Sequence, residues 1–91
     1  MKLNLKELQV EVSPDGTIEN RDVRTQMGNL LWNFSQDIAL ADVGRDVYYS
    51  DGEFEVSDVY REGIEDLVKR SNFFAPVKRA ILKQLSNNPQ K

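Results

Sequence analysis

The chain begins with alternating apolar and polar side chains, as in a β-hairpin. From Leu8 to Val12 every second residue is apolar, which predicts a strand with one exposed face. Residues 13–16 read Ser-Pro-Asp-Gly, in which proline presets the first turn dihedral and glycine supplies the positive φ that closes the turn. The residues after the turn are then the returning strand. Leu3 and Leu5 either extend the first strand backwards or form a short separate piece, because residues 6–8 break the alternation.

A helical period follows the hairpin. Asn20 or Asp22 can cap the amino terminus of this helix. Apolar side chains then recur at steps of three and four, which places them on one continuous stripe. The stripe consists of Val23, Met27, Leu30, Leu31, Phe34, Ile38 and Ala41. The pattern predicts one long central helix.

Residues 42–56 admit two structures. In the first, Gly44 ends the central helix as a left-handed cap residue, and a second short hairpin forms around Asp51 and Gly52. In the second, the helix continues over residues 42–50 and stops at the same Asp-Gly pair. The pattern slightly favours irregular or weakly extended structure over a continued helix.

Two further helices are predicted in the C-terminal part of the chain. Ser57 supplies a cap for the first helix, and Pro76 fits the first turn of the second. The apolar faces of the two helices consist of Tyr60, Ile64, Leu67 and Val68, and of Val77, Ile81 and Leu85. Gly63 interrupts the first helix, and because glycine lowers helix propensity we expect another element to approach it closely.

These elements predict an α+β fold. An N-terminal β-hairpin packs on a long central helix, which is followed by two further antiparallel helices. With 91 residues the chain has the size of one small domain. We assign residues 1–86 to that domain and expect residues 87–91, which are polar and contain a proline, to form a flexible tail.

The amino-acid composition limits the catalytic and metal-binding chemistry that the chain can perform. The chain contains neither cysteine nor histidine, which excludes a disulfide framework, a thiolate nucleophile, Ser-His-Asp catalysis and an ordinary transition-metal site. Nothing selects a catalytic pair among the 15 Asp and Glu residues, and phosphate-binding and dinucleotide motifs are absent. We therefore expect no enzymatic activity, cofactor or metal. The acidic side chains within residues 46–58 lack calcium-loop spacing and are expected to be solvated.

The same composition also indicates the cellular location of the protein. Charged residues make up 30% of the chain and the apolar runs are short, which argues against a membrane span or contact with a membrane. We expect a soluble, cytoplasmic protein.

Trp32 lies outside the predicted apolar stripe. On an ideal helix it falls on the opposite side from Leu30 and Phe34. Leu40 and Val43 are nearest to it on that side. A helix that is apolar on two faces must be covered twice, and the simpler interpretation is that the hairpin covers one face and the last two helices cover the other.

The alternative is that Trp32, Leu40 and Val43 form an open contact face. Tryptophan is strongly enriched in binding hot spots, and the edges of a two-stranded hairpin can accept a partner strand. We therefore hypothesise a protein–protein interaction or assembly module, which binds a protein partner or forms a homo-oligomer through this face or through the hairpin edge.

The charges are distributed unevenly along the chain. Residues 1–66 carry six basic and fifteen acidic side chains, whereas residues 67–91 carry six basic and no acidic ones. This asymmetry raises an alternative function, a small nucleic-acid-binding regulator that uses Lys69, Arg70, Lys78, Arg79 and Lys83. The net charge of −3 weakens attraction to phosphates, so a solvated basic face is the simpler interpretation.

Overall fold

The computed structural model describes residues 1–88. Its elements in chain order are β1 (Lys2–Asn4), β2 (Leu8–Glu11), β3 (Ile18–Arg21), α1 (Arg24–Phe34), α2 (Ile38–Tyr48), β4 (Glu53–Glu55), a 3-10 turn (Asp58–Tyr60), α3 (Arg61–Arg70) and α4 (Ala75–Asn87). The strands form two antiparallel pairs, β1 with β4 and β2 with β3. The predicted α+β class is confirmed.

The predicted N-terminal hairpin is the β2–β3 pair. Gly16 has a φ of 93°, and its N–H donates to the carbonyl oxygen of Ser13 at 3.0 Å, which closes the turn. The carboxylate of Asp15 accepts hydrogen bonds from the hydroxyl of Thr17 at 2.7 Å and from its N–H at 3.0 Å. These bonds stabilise the charged form and lower the pKa of Asp15. The local turn chemistry therefore sets the register of this hairpin.

The predicted long central helix is divided into α1 and α2. The chain becomes extended at Ser35 and re-enters a helix after Asp37, whose carboxylate accepts the N–H of Ala39 at 2.9 Å. The three-and-four spacing of apolar residues continues across this break, so the spacing alone does not reveal it. As a consequence Phe34 and Ile38, which were expected in the buried stripe, are 68% and 81% exposed.

The backbones of α1 and α2 touch at a pair of glycines. A Cβ added to Gly28 would lie 2.8 Å from the carbonyl oxygen of Gly44, and a Cβ added to Gly44 would lie 2.7 Å from the carbonyl oxygen of Gly28. These distances are too short for any side chain, so the crossing requires glycine on both helices. Gly44 is therefore an interior residue of α2 and not a helix cap. The helix continues to Tyr48, as in the second of the two structures considered for this segment.

The strand β4 pairs with β1, which is distant in the sequence. Leu3 lies opposite Phe54 in the antiparallel register. The second short hairpin around Asp51 and Gly52 is therefore wrong, since its first strand is the end of α2 and its second strand has another partner. The chain start is a separate strand and does not extend β2.

The other edge of β1 is closed by the side-chain amides of Gln84 in α4 and of Asn88, the residue that follows α4. The N–H of Asn4 donates to Oε1 of Gln84 at 2.9 Å, and Nε2 of Gln84 donates to the carbonyl of Asn4 at 2.7 Å. Asn88 forms the same pair of bonds with the backbone of Lys2, both at 2.9 Å. Four residues of a helix rise about 6 Å and two residues of a strand about 6.7 Å, so the two amides match the strand repeat. They occupy the place of a third strand.

The end of α4 also bears on the predicted tail at residues 87–91. Asn87 is the last residue of α4, and Asn88 is hydrogen-bonded to the backbone of Lys2 in β1. Residues 89–91 lie outside the described part of the chain.

The core lies where α1, α2, α3, α4 and β2 meet. Its most deeply buried large side chains are Leu5, Leu8, Val10, Met27, Leu31, Val47, Ile64, Val68, Ile81 and Leu85. Arg61 is also buried, and its guanidinium donates to the carbonyl of Leu85 and, at 3.3 Å, to the carboxylate of Asp58. Gly63 would place a Cβ 2.9 Å from Cδ2 of Leu40, which confirms the close approach expected there.

The glycine contact predicts a large difference between two Gly→Ala substitutions. Gly44→Ala places a methyl group against the backbone of α1, and we expect a net loss of about 2 kcal/mol in the free energy of unfolding. Gly63→Ala meets only the flexible end of Leu40 and gains helix propensity, so we expect a change within about 0.5 kcal/mol. Urea unfolding of both variants measures the difference. Equal stability of the two variants would contradict the contact.

The amide pairing predicts that Gln84→Glu destabilises the fold at neutral pH. A carboxylate cannot donate to the carbonyl of Asn4, and we expect a loss of about 1–3 kcal/mol in unfolding free energy. The loss should shrink below about pH 4, because a protonated Glu donates again. Asn87→Asp is the matched control, since it adds the same charge at an exposed position of the same helix. An equal loss in both variants would attribute the effect to charge alone.

Candidate functional site

A groove of about 240 Å³ opens between α1 and α2 where the two glycines meet. Gly28 and Gly44 both line it, and because neither has a side chain the surface is hollow at this point. The other lining residues are Asn29, Trp32, Arg45, Tyr48 and Tyr49. The volume is below the roughly 300–1,000 Å³ of usual small-molecule sites. The groove is therefore better suited to side chains of a macromolecule than to a buried ligand.

The two helices contribute to the groove in the same way. Each glycine is followed one helical turn later by an aromatic residue, Gly28 by Trp32 and Gly44 by Tyr48. A Cβ on Gly28 would lie 2.9 Å from Cβ of Tyr48, and a Cβ on Gly44 would lie 2.9 Å from the backbone nitrogen of Trp32. Each aromatic residue thus lies against the glycine of the other helix.

The aromatic side chains are accessible and ordered by specific contacts. Trp32 is 51% exposed, and the guanidinium carbon of Arg45 lies 5.4 Å from the centroid of its ring. Nη2 of Arg45 also donates to the carboxylate of Asp42 at 2.9 Å. The rings of Tyr48 and Tyr49 meet edge to face with their centroids 5.0 Å apart. Arg45 is thus held between a carboxylate and the indole that it covers.

Leu40 and Val43, which were expected to share an open face with Trp32, are buried at 6% and 8% exposure. The expectation assumed one continuous helix, and the helical wheel does not carry across the break between α1 and α2. Leu40 instead contacts α3 at Gly63. Of the three residues predicted for this face, the structure places Trp32 alone on the surface.

The other residues of the groove were missed by the helical wheel. A usable signal was present, because Gly28 and Gly44 both lie within helical patterns, where glycine costs about 1 kcal/mol relative to alanine. Two such costs in neighbouring helices indicate a close crossing. The contact of Arg45 with Trp32 has no comparable signal, since it depends on how the two helices meet.

Two of the five basic residues predicted for nucleic acid have partners within the fold. Arg70 forms an ion pair with Asp66 at 2.7 Å. Nζ of Lys78 donates to the carbonyl of Lys69 at 3.0 Å, where it satisfies a backbone acceptor in the last turn of α3. The first contact lies within α3, and the second connects α4 to α3.

Arg79 and Lys83 lie on α4 between two grooves of about 330 and 470 Å³. Glu65 lines one of these grooves, and Glu7 and Glu11 line the other. A phosphate backbone that approached this helix would therefore meet carboxylates on both sides of the two cations. The arrangement favours a solvated face with mixed charge.

Comparisons with protein-family models, with curated proteins and with solved structures find no match to this chain. Within residues 1–88, no group of three or more Asp or Glu side chains is placed to hold a metal ion. In the same part of the chain, no helix is long and apolar enough to cross a membrane. The groove between α1 and α2 is taken as the candidate site because it combines two glycines, three aromatic residues and an arginine.

The contact between Arg45 and Trp32 can be measured directly, because the chain contains one tryptophan. Arg45→Ala uncovers the indole, and we expect a larger acrylamide quenching constant for tryptophan fluorescence. The unfolding free energy should fall by no more than about 1 kcal/mol. Arg70→Ala, which removes an exposed arginine from α3, should leave the quenching constant unchanged. An unchanged constant in Arg45→Ala would contradict the contact.

Proposed function

We propose that the chain is a non-catalytic, cytoplasmic interaction module that binds a protein partner, or a second copy of itself, through the groove between α1 and α2. The observation that carries this proposal is the gathering of Trp32, Arg45 and Tyr48 around one exposed hollow. Tryptophan, tyrosine and arginine are the residue types most enriched in binding hot spots. A partner side chain that enters the hollow would desolvate all three together.

The preformed shape of the groove supports the same function. The backbone contact between Gly28 and Gly44 fixes the distance between the helices. Asp42 and Trp32 together restrict Arg45 before any partner arrives. Groups that are ordered in the free protein lose less conformational entropy on binding, which leaves more of the contact energy for affinity.

Nucleic-acid binding through α3 and α4 has less support. Arg70 and Lys78 are engaged within the fold, and Arg79 and Lys83 lie between carboxylates. Charge reversal at Arg79 and Lys83 distinguishes this function from protein binding.

The proposal predicts that binding depends on the groove aromatics. The test compares the wild-type chain, the double variant Trp32→Ala/Tyr49→Ala and the control Phe74→Ala, which removes an aromatic ring that is 83% exposed at the start of α4. Self-association is measured by sedimentation equilibrium. Partner binding is measured by affinity capture from the native host, followed by titration of the purified partner. We expect the double variant to bind about 30-fold more weakly or worse, and the control to bind as wild type.

Three results would overturn the proposal. The first is a double variant that binds as well as the wild type. The second is a wild-type chain that stays monomeric at high concentration and retains no protein from the host. The third is retention of nucleic acid alone, with an affinity that falls steeply with salt and is lost in Arg79→Glu/Lys83→Glu, which would favour the regulator.

A further inference from the structure

The outer edge of β4 is a second surface that could take a partner. Met1 and Val56 exchange two backbone hydrogen bonds, of 2.6 and 2.8 Å. Opposite residues in an antiparallel pair alternate between those that share such bonds and those that do not. In this register the N–H and C=O of Phe54 face β1. The N–H and C=O groups of Glu53 and Glu55 therefore point outward from the free edge of β4, on the side away from β1.

The two outer edges of this sheet differ. On β1, Gln84 and Asn88 satisfy the outward backbone groups. On β4, no hydrogen bond among residues 1–88 involves the outward backbone groups of Glu53 or Glu55. β1 is also the only described element that β4 contacts extensively. An open strand edge is a template on which another strand can form the same ladder of hydrogen bonds.

The side chains on β4 indicate the charge of a strand that would fit. Glu53 and Glu55 point to the same face because they are two residues apart, and their side chains are 63% and 70% exposed. Their cations lie on the β1 side, with Nζ of Lys2 3.9 Å from Glu53 and the ammonium of Met1 3.4 Å from Glu55. The pair of Lys2 with Glu53 is exposed on both sides, and such pairs contribute little. The ammonium of Met1 is buried and is shared between Glu55 and Asp58, at 3.4 and 3.5 Å. Residues 51–58 contain four acidic side chains and no basic one.

We propose that β4 accepts an extended, basic segment of another protein as the third strand of the β1–β4 sheet. Lys or Arg at alternate positions of that segment faces Glu53 and Glu55. The residues between them lie on the face of Phe54, which packs against the core. Backbone hydrogen bonds supply affinity, and the alternating charges select a basic strand. No residue of β4 lines the groove between α1 and α2, so this inference goes beyond the proposed function.

The probe is a ten-residue peptide of alternating Lys and Val, blocked at both ends. It is titrated into the full chain labelled with nitrogen-15. We expect chemical-shift changes and slower hydrogen exchange at the amides of Glu53 and Glu55. The peptide with Glu in place of Lys should bind at least about tenfold more weakly. In the antiparallel register that places Lys opposite Glu53 and Glu55, the Lys amides face β4 and the Val amides face outward. N-methylation of the Lys amides should therefore abolish binding in this register, whereas N-methylation of the Val amides should leave it intact.

Two variants of the chain locate the bound strand. Glu55→Pro removes an outward N–H without removing a bond to β1, and proline is tolerated at such edge positions. We expect it to abolish binding. Asn20→Pro is the control, because the same alternation points the N–H of Asn20 out of the β2–β3 pair. The double variant Glu53→Lys/Glu55→Lys leaves the backbone intact and should weaken binding about tenfold, so the test does not depend on the folding of Glu55→Pro.

The inference is overturned if no shift occurs at Glu53 and Glu55, or if the Glu peptide binds as well as the Lys peptide. It is also overturned if Glu53→Lys/Glu55→Lys binds the Lys peptide as tightly as the wild-type chain does. Trp32→Ala/Tyr49→Ala should retain the peptide. Loss of peptide binding in that variant would place the peptide in the groove and contradict strand addition, whereas its retention keeps the two proposals independent.

Discussion

The backbone contact between Gly28 and Gly44 is the constraint on which most of the structure depends. It allows α1 and α2 to approach so closely that the carbonyl oxygen of each glycine occupies the space where the other would carry a Cβ. From this crossing, the buried side chains of both helices pack against the rest of the domain. The same contact leaves the surface above it without side chains, so the feature that joins the helices also creates the hollow.

The strands are completed by contacts with helices and not by further strands. A chain of 91 residues forms a single core, and neither of its sheets has more than two strands among the described residues. Gln84 and Asn88 therefore matter beyond their four hydrogen bonds, because they attach the end of α4 to the beginning of the chain. Arg61 connects α3 to the same part of α4 through the carbonyl of Leu85. The edge of β4 lies outside this set of contacts.

The elements that could be predicted from the sequence are those with local signals. Residues 13–16 contain the whole turn of the β2–β3 hairpin, and Pro76 marks the start of α4. The break at Ser35 was missed because the apolar spacing continues across it. The pairing of Leu3 with Phe54 joins residues far apart in the chain, and nothing in either segment specifies the other. Trp32 was identified by its misfit to the apolar stripe, which is a property of the sequence alone.

The positions of the remaining groove residues depend on how α1 and α2 contact each other. They do not follow from the apolar periodicity within either helix. Gly28 and Trp32 on α1 have the same four-residue spacing as Gly44 and Tyr48 on α2. When the glycines meet, each aromatic residue is brought against the opposite helix, and the hollow has a ring from each helix on its wall. A helical wheel describes one helix and cannot show this. It placed Leu40 and Val43 beside Trp32, whereas the glycine positions indicate Tyr48 as the residue brought to the crossing from α2. In a helical hairpin the small residues indicate where a groove forms between the two helices, because they determine where the helices touch.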